Sequence, residues 1–199
     1  MGRNELSNER ANREERIAFR PLAEGDLPNL ACWLADPDVA TWWRQADLSP
    51  EAMIGQYLPA IEGSEPTRCF IIVIDGRDAG MIQAYFIADH PDYARQIGMP
   101  LGSLATDLFI GESTLRGQGW ARPLLRAFLR RIVFGEMGAK LAVIAPEAAN
   151  RRGIHVYERA GFRWLKTVRI KDENPLESGV EYVMVQTPEE FVAADHAGR

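Results

Sequence analysis

Cysteine, histidine and excess positive charge are all scarce in this 199-residue chain, and each shortage removes a class of function. The two cysteines, Cys32 and Cys69, lie inside apolar runs and read as core residues. With so little cysteine, and with no apolar leader at the N-terminus, a reduced, cytoplasmic setting is expected. Of the three histidines, His90 has no cysteine or second histidine near it, so it reads as a surface loop residue and no metal site is expected. A formal net charge of −5 argues against a nucleic-acid partner and tolerates cationic ligands. No apolar run approaches the ~20 residues that cross a bilayer, so no membrane partner is expected. Repeats, low-complexity tracts and any Ser/His/Asp or Cys/His arrangement for covalent catalysis are also missing.

What is present suits one packed domain: 46% of the residues are hydrophobic over an ordinary length. Residues 1–16, dense in Arg, Glu and Asn without periodicity, read as a disordered extension. The domain then covers 17–191, with 192–199 as a tail. Ile17 to Pro21 reads as a first strand. Asp26 is placed to cap a helix holding Leu27, Leu30, Trp33 and Leu34, which Asp36-Pro37 ends, and Ser49-Pro50-Glu51 opens a second helix. Cys69 to Ile74 and Ala79 to Ala88 form a hairpin around Asp75-Gly76-Arg77-Asp78. Asp89 to Gly102, with two prolines and two glycines, reads as a long irregular loop. Lys140 to Ala145 follows as a parallel strand and Asn150 to Ala160 as a helix closed by Gly161. Arg163 to Ile170 and Glu181 to Thr187 pair antiparallel across the polar loop KDENPLESG. This order is α/β with a mixed sheet.

Chemistry concentrates between Leu104 and Leu129. Leu104 to Ile110 is apolar on both alternating faces except at Thr106 and Asp107, as in a strand covered on both sides. Gly117 and Gly119 then strip side chains from a tight turn. Leu124, Phe128 and Ile132, with Leu125, Leu129 and Val133, repeat as one face of a helix that starts near Trp120. The free N–H groups and positive dipole end of that helix suit a phosphate or pyrophosphate. Arg122, Arg126 and Arg130 recur at four-residue spacing as a solvated basic row, with Arg122 within reach of such a phosphate. A carboxylate in an apolar strand is costly, so Asp107 is either a site residue or a structural aspartate bonded to backbone or arginine.

Arg116-Gly117-Gln118-Gly119-Trp120-Ala121 fits the Arg/Gln-x-x-Gly-x-Gly/Ala pattern by which the GNAT N-acetyltransferases cradle acetyl-CoA. NRRGIHVYERAGF from Asn150 to Phe162 resembles the second half of the same cofactor site. WLADPDVATWW, QYLP, TDLFIGE and YVMVQT make the chain most similar to the aminoglycoside 6'-N-acetyltransferases and their siderophore lysine N-acyltransferase relatives. The resemblance implies the GNAT fold: a mixed, mostly antiparallel central sheet splayed around the acetyl-CoA site, flanked by about four helices. It implies acetyl-CoA as co-substrate without a metal, bound by Leu108, Phe109 and Ile110 of the strand, by Arg116 to Ala121, and by Asn150 and Tyr157. It also implies a small-molecule amine acceptor, as monomer or homodimer.

Direct transfer needs a group to take the amine's proton and one to protonate the departing thiolate; the resemblance assigns Asp107 and Tyr157 to these roles, with Asp107 serving equally to bind the acceptor's ammonium group. Tyr157 would serve equally as core packing, and Asn150 as a helix cap. Trp42 and Trp43, being adjacent, cannot share one core site, so one lines the acceptor pocket or both staple helices to the sheet. The flap HPDYARQIGMPLG offers Asp92 to the substrate but also the basic Arg95. Ala145 stands where the aminoglycoside enzymes carry an aspartate, and Asp38 where they often carry histidine. Glu112, Glu147 and Asp92 are the carboxylates left to compensate. An N-acylated lysine-derived siderophore precursor is the alternative substrate, and an acyl-CoA-binding regulatory module the alternative outside enzymes.

Overall fold

The computed structural model describes residues 13–171, 176 and 179–196. Residues 1–12 of the expected extension, and most of the polar loop before the last strand, lie outside the described residues. Seven strands, β1 (Ile17–Pro21), β2 (Arg68–Ile74), β3 (Arg77–Phe86), β4 (Ser103–Ile110), β5 (Leu141–Ile144), β6 (Arg163–Ile170) and β7 (Gly179–Gln186), form one sheet in the order β1-β2-β3-β4-β5-β7-β6. Neighbours run antiparallel except β4 and β5. These two pair only over Ser103–Ala105 with Leu141–Val143. Beyond Ala105 they part, because residues 145–148 stay with β7: Tyr182 N–H donates to the Pro146 carbonyl and Ala148 N–H to that of Val180, each at 2.8 Å. The sheet therefore splits open between β4 and β5.

Around it lie α1 (Leu27–Leu34), α2 (Pro37–Ala40), α3 (Pro50–Glu62), α4 (Pro91–Ile97), α5 (Ala121–Phe128, continuing as π-helical turns to Glu136), α6 (Arg151–Ala160) and α7 (Pro188–His196). That is more than the four or so expected. Local chemistry sets their ends. Ser49 accepts from Ala52 N–H, Asp36 from Asp38 N–H and Asn150 from Gly153 N–H, at 3.3, 2.9 and 2.8 Å. Asp26, the expected cap of α1, makes no side-chain cap bond to it and instead takes both guanidinium N–H groups of Arg20.

Strand alternation gives the sheet two unlike faces. On one, Leu104, Ala142, Ile144 and Met184 meet Leu124, Leu125 and Phe128 of α5. The other carries two separate apolar clusters: Ile71, Met81 and Phe109 under α1 and α3, and Ala105, Val143, Val183 and Val185 under α4. Between those clusters the same face carries polar residues, and that interruption lines one end of the cleft.

Several expectations give way. The long loop before β4 contains α4, started by Pro91 and closed by Gly98 at φ +56°, because Ile97 and Tyr93 pack on the sheet. Cys32 is exposed, since α1 buries Leu27, Leu30, Trp33 and Leu34 instead; Cys69 is buried. Arg126 is no solvated residue: its guanidinium lies 4.9 Å from the Phe191 ring and 3.6 Å from Glu14. Residues 13–16 are tied down, with Arg16 bonded to Asp75 at 2.5 and 2.6 Å and the Glu14 carbonyl accepting from Arg131. Phe191 anchors α7, so structure continues through the expected 191/192 boundary.

Candidate active site

The split in the sheet opens into a cleft of about 1510 Å³, running from the glycine turn to the polar strip under α4. That exceeds the ~300 to 1,000 Å³ of an ordinary small-molecule site and leaves room for two reactants.

One end is an anion cradle. Gly117 and Gly119 take φ of +76° and +79°, a left-handed backbone that favours glycine. Trp120, the buried residue that precedes α5, makes no side-chain cap bond, which leaves first-turn N–H groups for a ligand. A Cβ on Gly117 would lie 3.5 Å from the Arg152 guanidinium, and one on Gly119 would lie 3.3 Å from that of Arg13. Arg13 also donates to the Gln118 carbonyl at 2.8 Å, and Arg13 and Arg16 sit over the Trp120 ring, 5.1 and 5.0 Å from its centre. Arg116 is turned elsewhere: it forks onto Asp36 at 2.6 and 2.7 Å, reaches Asp38 at 3.2 Å, and its N–H bonds push the Asp36 pKa down to about 2. It fastens the turn to the α1–α2 corner.

Of the strand residues, Leu108 and Ile110 face the α5 side. Phe109 faces the other, edge-on to Trp43 at 5.0 Å, so its side chain joins the cluster under α1 and α3. Asn150 spends its carboxamide oxygen capping α6. Ala121 opens α5 at the rim of the turn, and Tyr157 lines the cleft from α6. Burial, with the nearby charge of Asp107, drives the Tyr157 hydroxyl pKa far upward, so it stays protonated.

The other end is acidic and aromatic. Asp107 accepts from the Gln83 amide at 3.1 Å; burial raises its pKa, against hydrogen bonds from Gln83 and Tyr85. Trp42 is 43% exposed at the cleft wall, while Trp43 packs against the cluster under α1 and α3. Glu147 pairs with Arg44 at 2.7 Å across the mouth. Asp92 lies at the rim, paired to Arg95, and Glu112 is drawn aside by the Trp33 indole N–H at 3.0 Å. His90 is partly buried against the Tyr85 ring, 4.7 Å between centres, rather than free in a loop, while His155 is exposed on α6.

Sequence reasoning missed Glu181. Its carboxylate accepts from the Tyr93 hydroxyl of α4 at 3.0 Å. Burial pushes its pKa up to about 7, with the charges of Asp107 and Glu147 adding to the rise and the Tyr93 bond opposing it. The signal that singled out Asp107 was available here too, since Glu181 shares strand parity with the apolar Val183 and Val185. Arg13 and Arg152 were also missed, Arg13 because it sits in a stretch with no periodicity. Among the described residues, no group of three or more His, Cys, Asp or Glu is placed to hold a metal, and no helix is long and apolar enough to cross a membrane.

This split sheet with a glycine turn opening a helix has known counterparts. The acetyltransferase (GNAT) domain pattern matches residues 23–170. The chain belongs to the GNAT acetyltransferase family. The fold of this GNAT domain superposes on the aminoglycoside acetyltransferase AAC(6')-Ib in complex with coenzyme A with a TM-score of 0.78 and 26% identity, over 89% of this chain and 98% of that one. AAC(6')-Ib with coenzyme A and kanamycin gives 0.77 and 26% over the same shares. The spermidine N-acetyltransferase from Vibrio cholerae, in complex with CoA and spermine, shares the fold at a TM-score of 0.69 and 18% identity, over 89% and 99%. No curated protein has a sequence matching this GNAT chain.

Proposed function

We propose that the protein moves an acetyl group from acetyl-CoA to a primary amine of a cationic small molecule, the 6'-amine of aminoglycosides first, with both reactants bound at once. The observation that carries this reading is one continuous cleft with an anion cradle at one end and carboxylates at the other. The cradle suits the CoA pyrophosphate: side-chain-free glycines, helix N–H groups, and guanidinium groups of Arg13 and Arg152 on either side. Gly117, Gln118, Gly119, Trp120 and Ala121 would hold the phosphates, with Arg116 keeping the turn in place. When bound, acetyl-CoA supplies the acetyl group as a thioester. The β4 backbone freed by the split, over Leu108 to Ile110, would direct it. Tyr157, kept protonated, is the donor for the departing sulfur. Asp107 holds the acceptor's ammonium group, and Trp42 offers an aromatic face to it. The carboxylates missing from Ala145 and the flap are replaced in this reading by Glu181 and Glu147.

Arg44 favours a second acceptor. A guanidinium at the mouth would receive the carboxylate of a lysine-derived siderophore precursor. Thiol release from acetyl-CoA, measured over kanamycin, tobramycin, spermidine and hydroxylysine, decides among them. The expected result is release with an aminoglycoside, with Gly119→Asp abolishing acetyl-CoA binding in a folded protein. Release with hydroxylysine alone would move the assignment to the second acceptor. Cofactor binding without release from any amine would leave an acyl-CoA-binding module.

A further inference from the structure

We propose that Glu181 is the base that takes the acceptor's proton, held in position by Tyr93 of the flap helix α4, while Asp107 anchors the ammonium group. This rests on the amine-acetylation reading above. The register places the two carboxylates on one face of the sheet. Ala105 lies opposite Val143, so two residues further Asp107 and Ala145 share that face; Glu147 bridges to Glu181 on the far side. Ala145 contributes only a methyl group, and it lines the same cleft as Asp107 and Glu181. An amine bound in that part of the cleft has both carboxylates within electrostatic reach of one another to meet it.

Three carboxylates of the cleft have other partners: Glu147 pairs with Arg44, Asp92 with Arg95, and Asp107 accepts from the Gln83 amide. Glu181 is bonded by a neutral phenol. Burial, with Tyr85 and the charges of Glu181 and Asp107, keeps Tyr93 protonated, so it remains a donor whatever the state of the glutamate. The groups facing Glu181 are Tyr93 from α4, Asp107 from β4 and Glu147 from beyond β5, with Val168 opposite on β6. A carboxyl that titrates near neutrality is matched to removing an ammonium proton at physiological pH.

The step balances. Glu181 takes one proton from the ammonium and passes it to solvent. The nitrogen lone pair forms the C–N bond to the thioester carbonyl carbon, and the C–S bond breaks. The sulfur takes up a proton, which the second proton leaving nitrogen replaces, so one proton is released per turnover.

The test is the pH profile of kcat/KM for kanamycin. Glu181→Gln is expected to lower kcat by about 10²- to 10⁴-fold and to remove the acidic limb, with acetyl-CoA affinity unchanged. Tyr93→Phe removes a donor to the carboxylate, so the limb should move to higher pH. Asp107→Asn removes a neighbouring negative charge, so the limb should move to lower pH while KM for kanamycin rises about tenfold or more. Glu181→Gln with the limb intact, or Asp107→Asn without it, would overturn the assignment and make Asp107 the base. If wild-type protein acetylates no amine, the reading above fails and the assignment falls with it. Turnover with an unaffected Glu181→Gln removes the assignment alone.

Discussion

Glu181 shows what a buried carboxylate costs a fold that uses it. Its pKa lies near 7 in the folded protein, against an ordinary value of 4.5, so the folded state holds the extra proton between those limits. Stability must therefore fall as pH rises from about 4.5 to 7 and stay low above. Glu181→Gln should then stabilise the protein by roughly 2 kcal/mol at pH 8 and by almost nothing at pH 4.5. Thermal melts at both pH values check this, and equal gains at both would contradict a buried ionised carboxylate. Asp107 was readable from sequence because an acid in an apolar strand is conspicuous. Glu181 carried the same sign, yet its partner Tyr93 is 88 residues away, and no local pattern ties the two. Arg116 shows the same limit: its place in the glycine motif suggests a cofactor contact, and no local pattern announces the carboxylate 80 residues away onto which its side chain forks.

At the scale of elements, strands and helices with strong periodicity were legible, including the parallel pairing of β4 with β5 and the glycine turn between β4 and α5. Short or aperiodic pieces were not. Helix α4 was hidden by its prolines and glycines, which set its ends rather than preventing it, and residues 13–16 by their lack of any apolar repeat. Both matter to the site. Arg13 reaches the glycine turn from that segment, so Arg13→Ala should weaken acetyl-CoA binding about tenfold or less and flatten its salt dependence, as measured by calorimetry at two ionic strengths. Unchanged affinity would leave Arg13 as a structural tie alone. The last helix, α7, is pinned by Phe191, which meets Phe134 at 5.5 Å and the Arg126 guanidinium at 4.9 Å. Phe191→Ala should cost ~3 kcal/mol in denaturant unfolding. A loss under ~0.5 kcal/mol would show that α7 does not belong to the cooperative fold.

Across the whole molecule, one geometric fact organises the chemistry: β4 and β5 separate after three paired residues, and the two reactants can approach from opposite ends of the resulting cleft. The sheet brings Asp107 and Glu181 to one face, while Tyr157 comes from the helix on the other. Cys69 is a poor candidate for a covalent relay. Cys69 borders the cleft, but burial pushes its thiol up to about 12, with Glu65 and Asp107 adding to the rise, so it is no thiolate at neutral pH. In the proposed reading both reactants are present together for transfer. The most direct measurement is initial-rate kinetics with acetyl-CoA and kanamycin varied against each other. Intersecting double-reciprocal lines, with no acetylated protein detected by mass spectrometry, are the expected result. Parallel lines, together with an acetyl group trapped on Cys69 or any other side chain, would contradict direct transfer within one cleft.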